Sequence, residues 1–139
     1  MFSSNAAQVS AANYVEGAFS TYLYTGNNST LTITNGIDLS TKGGLVWSKS
    51  RASAIDHALY DTARGNKFLS SNTTSAQSNP SIPGMSFTTT GYNLLGADGN
   101  LNNTSFSPYV SWTFRKQVKF FDVVTYTGNG VAGRAISHS

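Results

Sequence analysis

The carboxylates and histidines are the side chains that could perform catalysis in this chain, and they are few. The sequence has six acidic residues, two histidines and no cysteine. Cleavage of a glycosidic bond requires two carboxyl groups that face each other, about 5 Å or about 6.5–9.5 Å apart. Asp56 and Asp61 are five positions apart, so on one strand they point to opposite faces. We therefore predict that the protein is not an enzyme.

His57 and Asp61 would share one face of a strand, with Leu59 between them, and two interpretations of this spacing stand. In the first, the two side chains form a base–acid pair. In the second, Asp61 caps the turn that follows it and His57 pairs across strands. The second is favoured, because polar turn residues are far commoner than catalytic dyads. None of the twenty serines lies in a Gly-x-Ser-x-Gly elbow, so no motif supports a serine nucleophile either.

No metal or cofactor is predicted from the ligand residues available. Two histidines without a cysteine cannot form a multi-histidine or thiolate centre. The run Asp98-Gly99-Asn100-Leu101-Asn102 resembles the start of a calcium loop but lacks the closing bidentate glutamate. An Asx-rich turn is the favoured interpretation of this run. No phosphate-binding glycine loop precedes a helix.

The aromatic residues divide into predicted core and predicted ligand contacts. Trp47 and Trp112 occupy alternating strand positions, so we expect both in the core. Tyr92 and Tyr109 lie beside polar loops and could stack on the apolar faces of sugar rings. The amides that would bind sugar hydroxyls beside them belong to Asn100, Asn102 and Asn103.

The elements that must position these residues are predicted to be strands. Ser, Thr, Asn and Gly make up 62 of 139 residues, and only 11% are charged, against roughly 25% in an average domain. Short alternating runs recur about every ten residues, which is typical of an antiparallel β-sandwich. Thr21–Tyr24 and Leu31–Thr34 resemble two strands joined by a tight loop. The predicted runs farther along cover 45–49, 54–62, 67–69, 85–88, 91–94 and 108–115, with polar loops at 70–84 and 97–107.

Three regions are predicted along the chain. Residues 1–19 form an extended arm, residues 20–116 a sandwich module, and residues 117–139 a linker with the first hairpin of a truncated second module. The last assignment rests on the tetrapeptide Tyr-Thr-Gly-Asn, which starts at Tyr24 and again at Tyr126. The side chains assigned to docking on a partner are Phe2, Tyr14, Phe19, Arg115, Lys116 and Lys119. For the basic residues among them, solubilisation of a linker is the favoured interpretation, and contact with an acidic patch on a neighbouring protein is the alternative.

One set of motifs extends over about residues 20–130. It consists of Tyr24-Thr25-Gly26-Asn27, Gly43-Gly44-Leu45-Val46-Trp47-x-Lys49-x-Arg51, His57-x-Leu59-Tyr60-Asp61-x-x-Arg64-Gly65, Gly91-Tyr92, Tyr109-Val110-Ser111-Trp112-Thr113-Phe114-Arg115 and the run 120–130. Together these motifs resemble a concanavalin-A-like lectin or laminin-G-like module of tailed-bacteriophage structural proteins. This resemblance implies a jelly-roll sandwich in a tail fibre or related virion appendage. Such proteins are usually homo-oligomers, often trimers, so a trimer is the favoured assembly.

From this resemblance we expect a structural, non-enzymatic virion component that docks on neighbouring virion proteins near the particle. The alternative is a carbohydrate-binding module that recognises a host surface glycan with the 70–84 and 97–107 loops. A glycan-cleaving enzyme is less favoured, because the paired glutamates of such relatives are missing. The net charge of +3 is spread along the chain, and no apolar stretch is long enough for a membrane span. We therefore expect neither nucleic-acid binding nor membrane insertion.

Overall fold

The computed structural model describes residues 15–80, 84–102 and 107–138, and it has two antiparallel sheets. The larger sheet has the order β1-β8-β3-β4-β5 and the smaller one β2-β7-β6. A single 3-10 turn at Val15–Gly17 precedes them. The strands are β1 (Phe19–Thr25), β2 (Leu31–Thr34), β3 (Gly44–Ser50), β4 (Ala58–Asp61), β5 (Phe68–Ser70), β6 (Met85–Phe87), β7 (Gly91–Leu94) and β8 (Pro108–Arg115). The predicted all-β class and two-layer arrangement are confirmed.

The core lies between the two sheets and combines aliphatic side chains with four tyrosines, two of which are hydrogen-bonded to buried serines. Tyr92 on β7 is fully buried and donates a 2.6 Å hydrogen bond to Ser111 Oγ on β8. Tyr24 on β1 shares a 2.8 Å hydrogen bond with Ser48 on β3. Large rings from both layers fill the space between sheets about 10 Å apart, so small residues fit opposite them. The buried phenols find hydroxyl partners there, as buried polar groups require.

This arrangement makes the predicted core positions of Trp47 and Trp112 wrong. On β3 the buried positions alternate with half-buried ones, and Trp47 is among the half-buried ones. Trp112 on β8 is likewise half-buried and pairs directly with Trp47, with ring centroids 5.2 Å apart. Ser48 and Ser111 take the inward positions, where their hydroxyls are hydrogen-bonded to the buried phenols of Tyr24 and Tyr92. Both tryptophans therefore lie on the outer face of the larger sheet.

The predicted hairpin between the first two strands is also wrong. β1 pairs with β8 at the edge of the larger sheet, whereas β2 pairs with β7 in the smaller one. The turn between them therefore carries the chain from one layer to the other. Its shape depends on a buried partner from a distant loop, since Asn102 Oδ1 accepts a 2.7 Å hydrogen bond from the N–H of Asn27.

The segment after β8 contains no strand among the residues 117–138 that the structure describes. Gln117 and Phe121 form an isolated bridge that closes a short turn. Phe121 then stacks on Phe114, with ring centroids 5.1 Å apart, so the segment returns over the outer face. The only helical element in the described residues is three residues long, too short to cross a membrane.

Candidate functional site

A cleft of about 300 Å³ lies between the two polar loops that the sequence singled out, and we call it the loop cleft. One wall follows β5 and the loop after it, and the other is the turn that begins the second loop. The residues that line it are Phe68, Asn79, Pro80, Ala97, Asp98, Gly99 and Asn100. An aromatic ring, two amides and one carboxylate thus meet in one concave surface, which suits a ligand with hydroxyl groups.

Asp98 is the one acidic residue that lines the loop cleft. Burial raises the pKa of its carboxyl above the usual value, and the hydrogen bond from the N–H of Asn100, at 2.8 Å, opposes that shift. The same carboxylate is near the buried phenol of Tyr60, whose pKa is raised mainly by burial and further by Asp98. A partly desolvated carboxylate gains more from a hydroxyl donor than one in open water does.

The turn that carries Asp98 is held in place by buried side chains from the larger sheet. Tyr24 donates a 2.7 Å hydrogen bond to the carbonyl oxygen of Leu101, and Tyr109 donates a 3.0 Å bond to that of Gly99. Asn102 is fully buried and donates to Asn27 Oδ1 at 3.0 Å. Because Tyr24 and Tyr109 anchor the turn from strands of the larger sheet, this wall of the loop cleft is preorganised.

The predicted sugar-binding residues are separated by this geometry. Tyr92 and Tyr109 have no exposed surface, so a stacking platform at these tyrosines is ruled out. Their rings instead fill the space between the sheets. Asn102 is buried as a loop anchor, Asn100 lines the loop cleft, and Asn103 lies outside the described residues.

Phe68 and Asn79, on the other wall, were missed by the sequence reasoning. No periodicity separates them from their neighbours, and the signal available was the length of the 70–84 loop.

Asp61 caps the turn after β4, as the structural interpretation predicted. Its Oδ1 accepts a 2.8 Å hydrogen bond from the N–H of Arg64, and its Oδ2 accepts one of 2.5 Å from Arg64 Nε. The Asp61 side chain is fully buried and that of Arg64 is 11% exposed, so the ion pair is nearly enclosed. The backbone of His57 is bound to the neighbouring turn, because its backbone N–H donates to Asn72 Oδ1 at 2.9 Å. These contacts engage both residues in the structure around β4.

The outer face of the larger sheet is apolar and mainly aromatic. Because paired residues of neighbouring strands share a face, the register places Trp112, Trp47 and Leu59 in one row across β8, β3 and β4. The next row holds Phe19, Phe114 and Leu45. Phe19 and Phe114 touch, with ring centroids 5.0 Å apart. This sheet therefore presents apolar residues on the side that faces away from the core.

The chain after β8 covers part of this outer face. A groove of about 480 Å³ separates Leu45, Leu59 and Leu69 from the residues 123–126. Beyond the groove, the segment 118–131 exposes several large apolar side chains, and we call it the exposed apolar segment. They are Val118 (64% exposed), Phe120 (47%), Val124 (41%), Tyr126 (66%) and Val131 (67%). Five of the seven large apolar side chains that are exposed in the described residues lie in this segment.

The residues assigned to docking have varied surroundings. Phe19 begins β1 and packs on Phe114, so it belongs to the sandwich and not to an arm. Lys116 Nζ lies 3.0 Å from Asp122 Oδ1, and Arg115 donates to Gln117 Oε1 at 2.7 Å. Lys119 is exposed and lies in the left-handed region, with φ of 62°. Phe2 and Tyr14 lie outside the described residues.

Comparison with known proteins places the chain in one family. The family described as a domain of unknown function, DUF7483, matches residues 15–139. The chain therefore belongs to the DUF7483 family. The matched range includes the residues 117–139 that the sequence assigned to a second module. No curated protein matches the chain, and no solved structure does.

Proposed function

We propose that this chain is a structural, non-enzymatic component of a tailed-phage virion, in a tail fibre or comparable appendage. It acts by binding neighbouring proteins of the particle, including further copies of itself. The finer fold that goes with this proposal is a concanavalin-like jelly roll. Both the virion location and that topology come from the motif resemblance in residues 20–130.

The observation that supports a docking role is the exposed apolar segment beside the outer face of the larger sheet. Five large apolar side chains between positions 118 and 131 are at least 41% exposed. Burial of such surface in a contact stabilises the contact by about 25 cal/mol per Å². The segment adjoins the outer face through the stacked rings of Phe114 and Phe121. A neighbouring protein could therefore cover both surfaces at once.

Four of the six acidic residues support the non-enzymatic part of the proposal. Asp61 is paired with Arg64, and Asp122 with Lys116. Asp56 accepts a 2.9 Å hydrogen bond from Asn72. Asp38 accepts hydrogen bonds from both the N–H and the hydroxyl of Thr41, and these lower the pKa of its carboxyl. Carboxylates engaged in this way cap turns and balance charge in the fold.

Removal of the exposed apolar side chains is expected to prevent assembly without unfolding the chain. In the triple variant Phe120→Ser/Tyr126→Ser/Val131→Ser we expect the free energy of unfolding to stay within about 1 kcal/mol of wild type, because the side chains are exposed. We expect its amount in purified particles to fall about tenfold or more. The control is Lys42→Ser/Lys67→Ser, which changes two exposed lysines of the sandwich. Equal incorporation of the triple variant and the control would contradict the docking role.

The second candidate function is recognition of a host glycan, and the composition of the loop cleft favours it. Phe68, whose ring stacks on Tyr60, contributes aromatic surface to the cleft, while Asn79 and Asp98 offer amide and carboxylate partners for hydroxyl groups. This combination is typical of sites that bind sugars through stacking and hydrogen bonds. The preorganised turn at Asp98 would limit the entropy lost on binding.

Asp98→Asn tests the glycan candidate directly. The substitution removes the charge but keeps an oxygen that can accept the N–H of Asn100, so we expect the turn to persist. Loss of charge-assisted hydrogen bonds should raise the dissociation constant for the host surface polysaccharide about tenfold. Asp38→Asn is the matched control, because that carboxylate lies in an exposed turn away from the loop cleft. If no host polysaccharide binds the wild-type protein, the glycan candidate is rejected.

A further inference from the structure

β1 is the longest edge strand of either sheet. It has seven residues, whereas the other edge strands β2, β5 and β6 have four, three and three. β5 is covered in part, because Phe68 and Ser78 exchange backbone hydrogen bonds of 3.0 and 2.9 Å. Within the described residues, no bond of this kind covers the free side of β1. An exposed edge of this length is a template for another strand.

The hydrogen bonds to β8 determine which backbone groups of β1 remain available. Arg115 donates to the carbonyl oxygen of Ala18 at 2.7 Å, and Gly26 donates to that of Ser107 at 2.9 Å. Antiparallel pairing alternates between bonded and non-bonded pairs, so the even-numbered residues between these points bond to β8. The N–H and C=O groups of Phe19, Thr21, Leu23 and Thr25 therefore point to the free side.

The side chains of β1 leave this edge unprotected. Natural edge strands carry charges, proline or bulges that prevent pairing with another chain. The strand Phe-Ser-Thr-Tyr-Leu-Tyr-Thr has none of these charges and no proline, and its register with β8 is unbroken. Its aromatic and β-branched residues favour strand formation. Leu23, at the centre of the free edge, is 60% exposed.

We propose that β1 pairs antiparallel with β1 of a second copy of this chain, so that two five-stranded sheets form one continuous sheet across a two-fold axis. An uncharged strand pairs with itself without placing like charges opposite each other. It also offers no charge that would select a different, oppositely charged partner. Self-pairing closes after two copies, which is the commonest symmetry of homo-oligomers.

The register of the pair follows from the positions of the free groups. All seven residues pair when Tyr22 lies opposite Tyr22 of the second copy. The odd-numbered residues then form the hydrogen-bonded pairs, which is the set that β8 leaves available. Thr21 stands opposite Leu23 of the other copy, and Phe19 opposite Thr25. These side chains extend the apolar outer face from one copy to the next.

This inference goes beyond the proposed docking function, because it names the partner and the contact. It also differs from the trimer that the motif resemblance implies. The mass of the full chain in solution distinguishes the two: a dimer of the 14.8 kDa chain or a trimer of it. We expect a dimer whose fraction rises with concentration in sedimentation experiments.

Leu23→Pro tests the backbone contact. Proline removes the N–H that points to the free side, and it leaves the bonds of Tyr22 and Tyr24 to β8 in place. We expect the dimer dissociation constant to rise about tenfold or more, because the two-fold axis removes the bond twice. The matched control Leu23→Thr keeps the N–H and a high strand propensity, and we expect it to remain dimeric.

A pair of charge variants tests the register. Leu23→Lys alone brings two positive charges close together across the axis, so we expect it to weaken the dimer. Thr21→Glu/Leu23→Lys places the new carboxylate opposite the new ammonium group of the other copy, so we expect the dimer to recover in low salt. Both side chains are exposed, so circular dichroism and thermal unfolding can verify that each variant is folded. A monomer at every concentration, a trimer, or a dimer that Leu23→Pro leaves unchanged would overturn the proposal.

Discussion

Replacement of Arg64 by alanine is expected to lower the free energy of unfolding by about 3 kcal/mol. The Asp61 side chain is fully buried, and the guanidinium of Arg64 is its charged partner. Alanine keeps the backbone N–H that donates to Asp61 Oδ1, but it removes the counter-charge from Oδ2. The carboxylate would then remain in the protein interior with an uncompensated charge, which is the costly outcome for a buried pair. Chemical denaturation monitored by tryptophan fluorescence measures the change.

The double variant Asp61→Asn/Arg64→Ala separates the cost of an unpaired charge from the loss of side-chain contacts. The asparagine oxygen can still accept the backbone N–H and cap the turn, and no charge is buried. We expect the double variant to be more stable than Arg64→Ala alone. If Arg64→Ala lowers the free energy of unfolding by less than about 1 kcal/mol, the pair behaves as an exposed ion pair. The assignment of Asp61 as a buried turn cap would then be wrong.

Gly44→Ala is expected to destabilise the sandwich by a comparable amount, about 3 kcal/mol. Gly44 begins β3 with φ of +156°, a backbone conformation that side chains disfavour. A Cβ atom there would collide with the carbonyl oxygen of Phe114 and lie 2.7 Å from Leu39 Cδ2. Because β3 and β8 are central strands of the larger sheet, neither can move away without breaking their ladder.

Gly128→Ala is the matched control for this prediction. A Cβ atom at Gly128 would meet nothing within 4 Å, and no left-handed φ applies there. We expect its free energy of unfolding to lie within about 0.5 kcal/mol of wild type. Similar stabilities for Gly44→Ala and Gly128→Ala would mean that the close approach of β3 and β8 at Gly44 is incorrect.

The positions of most strands could be predicted from the sequence, because alternation is a local signal. The run Pro108–Arg115 matches β8 at both ends, and Leu31–Thr34 matches β2. Strand partners are not local, so the turn after β1 was wrongly assigned to a hairpin. In the structure that turn is bonded to Asn102, about seventy-five residues away along the chain.

The inward face of each strand could not be predicted, because hydrophobicity was taken as the sign of burial. Trp47 and Trp112 are more hydrophobic than Ser48 and Ser111, yet the serines face the core. The buried tyrosines Tyr24 and Tyr92 favour this arrangement, since they fill the interior and supply hydrogen-bond partners for the serine hydroxyls. Tyr92 was assigned to a ligand because it lies beside a polar loop, yet its side chain is fully buried.

The sequence indicated the loops that form the loop cleft but not the side chains that line it. The 70–84 and 97–107 loops were identified by their length, and the loop cleft lies between them. The particular side chains that face it depend on how the two loops meet, which no local pattern encodes. The exposed apolar segment was assigned to a second module because the tetrapeptide Tyr-Thr-Gly-Asn recurs in it, whereas the described residues 117–138 contain no strand.

Cross-linking mass spectrometry of purified particles tests the central claim, that the chain binds its neighbours through the exposed apolar segment. Lys116 precedes that segment and Lys119 lies within it, whereas Lys67 lies in the turn before β5. With an amine-reactive cross-linker, we expect peptides that join Lys116 or Lys119 to another protein of the particle. Absence of the chain from the particles, or links to other proteins from Lys67 alone, would contradict the account.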